Sequence, residues 1–300
     1  MTINTLRNRM LQAAAIVVCL APSAQAQEAT PIWARVLHAA RFRAPALQES
    51  SAALVSRTQP GVVWTINDSG NPPELFATDT LGRNLGIFST AALANTDWEA
   101  LATGPCDDTT CVYIGDVGDN AEERPQVEVY RWAEPVIGQA PGARPEKLRL
   151  RYSDGPHDTE AMFVSRDTTL YLVTKGRTRG VLLFRVSAPA WHTPDSVVTA
   201  ELIQRLPIPV ETGIAHQVTD AAIARDDRHV VIRTYRYLYF FVREPDGRLA
   251  VDRSRDTCDL GGLEPQGEGV GWLDDRRLVI TSEQVSLFGG TIQVVVCGSS

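Results

Sequence analysis

A short acidic motif returns along this chain at near-regular intervals, and that return constrains the fold more than any other feature. It reads Asp97-Trp98-Glu99-Ala100-Leu101, then Asp158-Thr159-Glu160-Ala161-Met162. It comes back as Thr219-Asp220-Ala221-Ala222-Ile223 and as Gly267-Glu268-Gly269-Val270, and a degenerate first copy is Glu49-Ser50-Ser51-Ala52-Ala53-Leu54. With Ser51, Glu99, Glu160, Asp220 and Glu268 as equivalents, the intervals are 48, 61, 60 and 48 residues. Such a period is the signature of a repeat architecture. A closed ring of repeats would bring one residue of each copy to a common centre.

Each repeat reads as four short strands rich in Val, Ile, Leu, Tyr and Phe, bounded by turns such as Asp226-Asp227, Asp246-Gly247 and Asp274-Asp275. In the third copy the strands fall near 160–164, Thr169–Thr174, Val181–Val186 and Val197–Arg205. No apolar 3.6-residue period is sustained over three turns. The fifth copy runs out after three strands, near 268–272, Arg277–Ser282 and Thr291–Val296, while a spare strand near Trp33–Phe42 precedes the first copy. Docking the spare strand on the last repeat would close the ring. The expectation is an all-β chain, a single β-propeller of five four-stranded blades. The two long intervals leave room for a sixth blade as the main competitor.

The first residues read as an export signal. Arg7 and Arg9 precede an apolar run from Leu11 to Leu20, and Ala24-Gln25-Ala26 fits a cleavage site. Residues 1–26 are thus expected to be removed, leaving 27–300 as the propeller domain of a periplasmic or secreted protein. No later segment is apolar for long enough to suggest a transmembrane helix. Four cysteines remain, and an even count in an exported chain reads as two disulfides. Cys106 and Cys111 share one short connection, which leaves Cys258 for Cys297; closing that longer loop would contribute roughly 3–4 kcal/mol. Removing Arg7 and Arg9 from 29 basic residues against 36 acids leaves 27 − 36 = −9, and lysine occurs only at Lys147 and Lys175. An acidic chain without basic runs argues against nucleic acid and anionic membranes as partners. A small anionic ligand, or a protein or glycan held by the outer loops, remains. Nothing in the sequence speaks to oligomeric state.

In a propeller, the recurring acid would sit at the channel mouth, where the second strand of each blade also ends. Glu99, Glu160, Asp220 and Glu268, with Ser51, would converge there. Asp68, Asp116, Lys175, Arg233 and Glu283 would stand just outside. Carboxylates so close need a counter-charge. Oxygen-only donors from separate blades suit calcium better than magnesium, which demands tight octahedral geometry. The alternative is that each acid pairs with an arginine or caps a turn within its own blade. Catalytic roles would fall to Glu160 or Asp220 as water-activating bases, assisted by His157, with Lys175, Arg233, Asp68 and Asp116 gripping the substrate. His216 is a second histidine near the same mouth. No Gly-x-Ser-x-Gly elbow, phosphate loop or dinucleotide fingerprint appears.

On its acid–small–aliphatic motifs, the chain resembles the calcium-activated nucleotidase (apyrase) family of secreted propellers. That resemblance implies five blades and a central calcium held by Ser51, Glu99, Glu160 and Glu268; Asp220 falls where the family pattern is less acidic. The stretches Trp64-Thr65-Ile66-Asn67-Asp68-Ser69-Gly70 and Gly115-Asp116-Val117-Gly118-Asp119-Asn120 also look like exported bacterial propellers akin to the phytase-like esterase and SMP-30 groups. These resemblances imply a calcium-dependent hydrolase of a phosphate ester or anhydride. The other reading is a non-catalytic scaffold in which calcium only ties the blades. Two cations separate the readings: an enzyme for anionic substrates needs Lys175 and Arg233 free at the mouth.

Overall fold

The computed structural model describes residues 31–90, 93–140, 142–192, 196–210, 213–285 and 289–298. The expected signal peptide, 1–26, lies outside the described residues. What is described is all-β, apart from one 3-10 turn at Ala188–His192. After β1 (Ile32–Arg41) come β2 (Ser50–Val55), β3 (Val63–Asn67), β4 (Glu74–Thr78) and β5 (Asn84–Ser89), a four-stranded antiparallel sheet. The next run is β6 (Trp98–Cys106), β7 (Thr109–Asp116), β8 (Val127–Ala133) and β9 (Glu146–Tyr152). It is followed by β10 (Thr159–Val164), β11 (Leu170–Thr174), β12 (Leu182–Val186) and β13 (Val197–Arg205). The fourth run is β14 (Val218–Ile223), β15 (His229–Thr234), β16 (Tyr237–Arg243), β17 (Leu249–Val251) and β18 (Cys258–Asp259). The last is β19 (Gly267–Trp272), β20 (Arg277–Ser282) and β21 (Thr291–Cys297).

The spare N-terminal strand does what its position suggested. β1 pairs antiparallel with β21 from Ala34↔Cys297 to Arg41↔Thr291, so chain start and chain end share one sheet. It also meets β18 in parallel at Ile32↔Cys258. The Cys258–Cys297 disulfide staples β18 to β21 across that seam, and Cys106–Cys111 closes the β6–β7 hairpin. Two disulfides belong to an oxidising, extracytoplasmic environment. Among the described residues, no helix is long and apolar enough to cross a membrane.

Packing follows the sequence repeat. The first strands of the runs are edge strands of their sheets, yet they are buried along almost their whole length because the first strands of the neighbouring runs pack against them. Apolar clusters lie between successive runs. Trp64, Ile66, Trp98 and Tyr130 join the first to the second, and Tyr113, Met162, Leu172 and Phe184 the second to the third. Phe163, Val173, Ile232 and Phe241 join the third to the fourth, and Leu238, Phe240, Trp272 and Ile280 the fourth to the fifth. Val279, Ile292 and Val294 then return to Val63 in the first run. Trp98 and Trp272 are packing residues; the Trp272 indole donates to the Ala222 carbonyl at 3.0 Å.

Candidate metal centre at the acidic mouth

Every first strand carries a register break near its start. In β2 the pairing jumps from Ser50↔Asn67 to Ala52↔Ile66, leaving Ser51 unpaired. The same break leaves out Glu99 in β6 and Glu160 in β10. In β14 it leaves out Thr219, and in β19 it spans Glu268 and Gly269. A β-bulge re-aims its extra residue and ends regular pairing. The bulge set is therefore Ser51, Glu99, Glu160, Thr219 and Glu268. Asp220 is the next residue along, and one step on a strand reverses the face.

Two further tiers repeat with the bulges. The residue two before each bulge has a carbonyl that accepts a backbone N–H from the end of the second strand: Asp68 to Glu49, Val117 to Asp97, Lys175 to Asp158, Tyr235 to Gln217 and Glu283 to Gln266. The mouth is thus built by three residues from each run. These positions carry eight acids (Glu49, Asp68, Asp97, Glu99, Asp158, Glu160, Glu268, Glu283) and one lysine, Lys175. Asp116 and Arg233 lie one and two residues short of this tier.

Carboxylate oxygens of Asp68, Asp97 and Glu99 lie within 4.8 Å of one another. Ser51 Oγ donates to Glu99 Oε2 at 2.6 Å. Lys175 Nζ donates to Glu160 Oε1 at 2.6 Å and faces the Tyr235 ring at 6.0 Å. Gln266 Nε2 bridges Glu283 at 2.6 Å and Glu268 at 3.3 Å. Thr219 Oγ1 donates to the Glu268 carbonyl at 2.8 Å. Gly118 leaves room for this cluster: a Cβ there would sit 2.5 Å from Asp97 Oδ2.

The electrostatics are those of an under-neutralised acid cluster. Burial, then Glu160 and Asp68, hold Glu99 well above the usual carboxylate range despite Lys175 and Ser51. Burial, Glu160 and Glu283 do the same to Glu268. Asp97 is pushed up to about 6 by burial, Asp68 and Asp158. Glu283 is raised to about 7 by burial, Asp68 and Glu49. Burial raises Glu160 to about 8, with Lys175 opposing it. Burial alone would lower Lys175, but Glu160, Tyr235 and Glu99 leave it raised and firmly cationic.

Several expected site residues have other work. Asp220, expected as metal ligand and base, is wholly buried, and its carboxylate accepts the amides of Ala53 at 3.1 Å, Val270 at 2.7 Å and Ala221 at 2.8 Å. It ties β14 to β2 and β19 instead of facing the mouth. Arg233, expected to grip substrate, is wholly buried; it donates to the Gly269 carbonyl at 2.7 Å and the Thr281 carbonyl at 3.0 Å, and pairs with buried Glu264. Its guanidinium lies where a Cβ of Gly267 would fall, 1.7 Å away, which is why that position is glycine. Asp116, also expected to bind substrate, accepts the amides of Thr96 at 3.1 Å and Asp97 at 3.2 Å and pairs with Arg124 at 2.8 Å, bracing the loop that presents Asp97. His157, expected to assist catalysis, is buried between Tyr152 and Phe184 with Nε2 2.8 Å from Asp154 Oδ1. His216 stacks on Tyr237, ring centroids 4.7 Å apart, and its Nδ1 lies 2.7 Å from Tyr239 Oη.

Thr219, Asp97, Glu49 and Asp158 are among the members that sequence reasoning passed over. Asp97 was visible in the repeated Asp-x-Glu of the second and third copies. Thr219 carries no acid, so matching by charge slipped the fourth copy by one residue.

No family model and no curated protein matches the chain. Solved structures similar to it include the PQQ-bound aldose sugar dehydrogenase from Streptomyces coelicolor, at 11% identity and a TM-score of 0.52, over 88% of this chain and 98% of that one. Regucalcin, a calcium-binding protein from Agrobacterium tumefaciens, is 15% identical over 90% of this chain and 96% of its own, with a TM-score of 0.42. Virginiamycin B lyase from Staphylococcus aureus is 9% identical over 79% of this chain and 64% of that one, with a TM-score of 0.39. At 11% identity the dehydrogenase likeness speaks to fold alone, and β-propeller proteins are the structural neighbours of this chain.

Proposed function

We propose that the protein is an exported, five-bladed calcium-binding propeller whose ion ties blades together at the acidic mouth. The observation that carries this reading is the Asp68, Asp97 and Glu99 oxygens within 4.8 Å of one another, at a mouth with a single lysine. Oxygens bound to one calcium at about 2.4 Å lie no more than about 4.8 Å apart, so the donor set fits a hard cation. Asp68 ends the second strand of the first blade, and Asp97 and Glu99 open the second. An ion there would bridge those blades, with Glu160 and Glu268 adding negative potential from the third and fifth. The resemblance to calcium-activated nucleotidases points to overlapping residues.

Of the two functional readings, the scaffold is the better supported. Lys175 is held by Glu160 and Arg233 by Glu264, so neither is free to grip an anionic substrate. A phosphate would meet eight acids and two engaged cations, Lys175 on Glu160 and Arg177 on Asp158, at this face. The outer loops would then hold a protein or glycan partner. The test is calorimetric titration of calcium into chelator-treated mature protein, alongside Glu99→Gln and Asp97→Asn. One saturable site, lost or strongly weakened in both variants, is the expected result. Absence of binding to the wild-type protein would refute the reading.

A further inference from the structure

The opposite mouth of the channel gathers arginines. The channel beyond the acids is lined by the far halves of all five first strands, among them Leu54, Met162, Ile223 and Trp272, and by Arg57 and Arg225 where it opens. Arg57 lies six residues after the bulge at Ser51, Arg166 six after Glu160, and Arg225 six after Thr219. Three runs therefore place an arginine at the same point of the same hairpin. In the other two the position holds Pro105 and Asp274, and the Asp274 carboxylate is engaged by Arg277 at 2.7 Å.

The three guanidinium groups are linked through backbone carbonyls. Arg57 donates to Ile223 at 3.2 Å, Arg225 to Arg57 at 3.3 Å and to Ser56 at 3.1 Å, and Arg166 to Arg225 at 3.2 Å. Those four bonds orient the forks and leave most of their five N–H donors apiece without a protein acceptor. Among the described residues, no carboxylate lies within ion-pair distance of any of the three. The carboxylate that acts on Arg57, that of Asp227, is engaged by Arg243 and by the Arg166 amide. The Glu134 carboxylate beside this hairpin is likewise occupied, by Ser56, Thr58 and Trp64. Like charges gathered around one carboxylate that is already engaged are under-neutralised, as the acids above are, with the sign reversed. Burial and the neighbouring arginines accordingly push Arg57 below its ordinary value.

We propose that Arg57, Arg166 and Arg225 form an anion-binding site at the basic mouth of the channel, built to take a small oxyanion in the fork geometry that guanidinium shares with carboxylate and phosphate. The site is independent of the calcium reading, since the two lie at opposite ends of the channel. The apolar wall behind Arg57 and Arg225 suits a ligand whose charged head rests on the arginines.

The test is titration of inorganic phosphate and, separately, butyrate into the calcium-free and calcium-loaded protein at low ionic strength. The same titrations are run on Arg57→Gln, Arg225→Gln and Arg166→Gln. The expected result is saturable binding of at least one anion, weakened about tenfold by each substitution and unchanged in Arg248→Gln, an exposed arginine paired with Asp246. Phosphate binding in preference to butyrate would assign the site to bare oxyanions, and the reverse to carboxylates with an apolar tail. Arg166 is exposed and bonds through one nitrogen, so its variant preserves the fold if the other two do not. Saturation by neither anion, or binding indifferent to all three substitutions, would overturn the proposal.

Discussion

The half-buried cluster around Asp68, Asp97 and Glu99 and the fully buried network around Asp220, Arg233 and Glu264 are both built on carboxylates, and they do different things. In the network every charged group has a protein partner, although Arg233 Nε and Glu264 Oε1 stay unpaired: Asp220 accepts three amides, and Arg233 donates to two carbonyls and pairs with Glu264. In the cluster, eight acids share Lys175, Arg177 at Asp158 and a few neutral donors. Satisfied buried charge is structure; under-neutralised buried charge is a site waiting for a ligand. What separates them is register at a bulge, not residue type.

The comparison breaks first at Arg233. Arg233→Met should destabilise the fold by about 3–5 kcal/mol, because Glu264 is left buried without a cation. Urea unfolding reads this, and calcium should not rescue it. A cost below about 1 kcal/mol would show that the pair is not structural. Asp220→Ala follows, with an expected loss of about 2–3 kcal/mol from three orphaned amides. If instead Asp220→Ala left stability unchanged and abolished calcium binding, Asp220 would belong to the metal centre after all.

Substitutions in the cluster should show the converse. Asp97→Asn and Glu99→Gln should weaken calcium at least about tenfold while changing metal-free stability by less than about 1 kcal/mol. The smallest effect is on pH dependence in chelator. Asp97, Glu283 and Glu160 rise from 3.8, 4.5 and 4.5 in the unfolded chain to about 6, 7 and 8 when folded. The folded chain then holds protons that the unfolded chain has lost, so stability is present below about pH 4 and falls as pH rises through 6 to 8. The melting temperature of chelated protein should therefore be lower at pH 8 than at pH 6, and saturating calcium should remove that difference. A melting temperature that climbs over the same window without calcium would mean the acids are already neutralised.

Much of the strand plan was legible because alternation and turn residues are local. The third run, the spare strand near Trp33–Phe42 and both cysteine pairs stand where the sequence put them. Glu99 and Glu160 were legible as mouth residues because their copies share both acid and register. Asp116 and Arg233 were misplaced because the ends of second strands were aligned by charge, whereas the backbone aligns Val117 and Tyr235 with Lys175. Valine and tyrosine give no signal that a search for charge would notice.

By itself, then, the sequence determined the repeat, the all-β character, the disulfides and the presence of surplus acid. Those follow from period, composition and spacing, which are properties of the chain before it folds. Only the tertiary structure decided that Thr219 rather than Asp220 is the bulge residue, that Arg233 is a buried tie, and that Arg57, Arg166 and Arg225 share a mouth. Each of these depends on which neighbour a side chain meets across strands far apart in sequence, and a one-residue change of register reverses the answer.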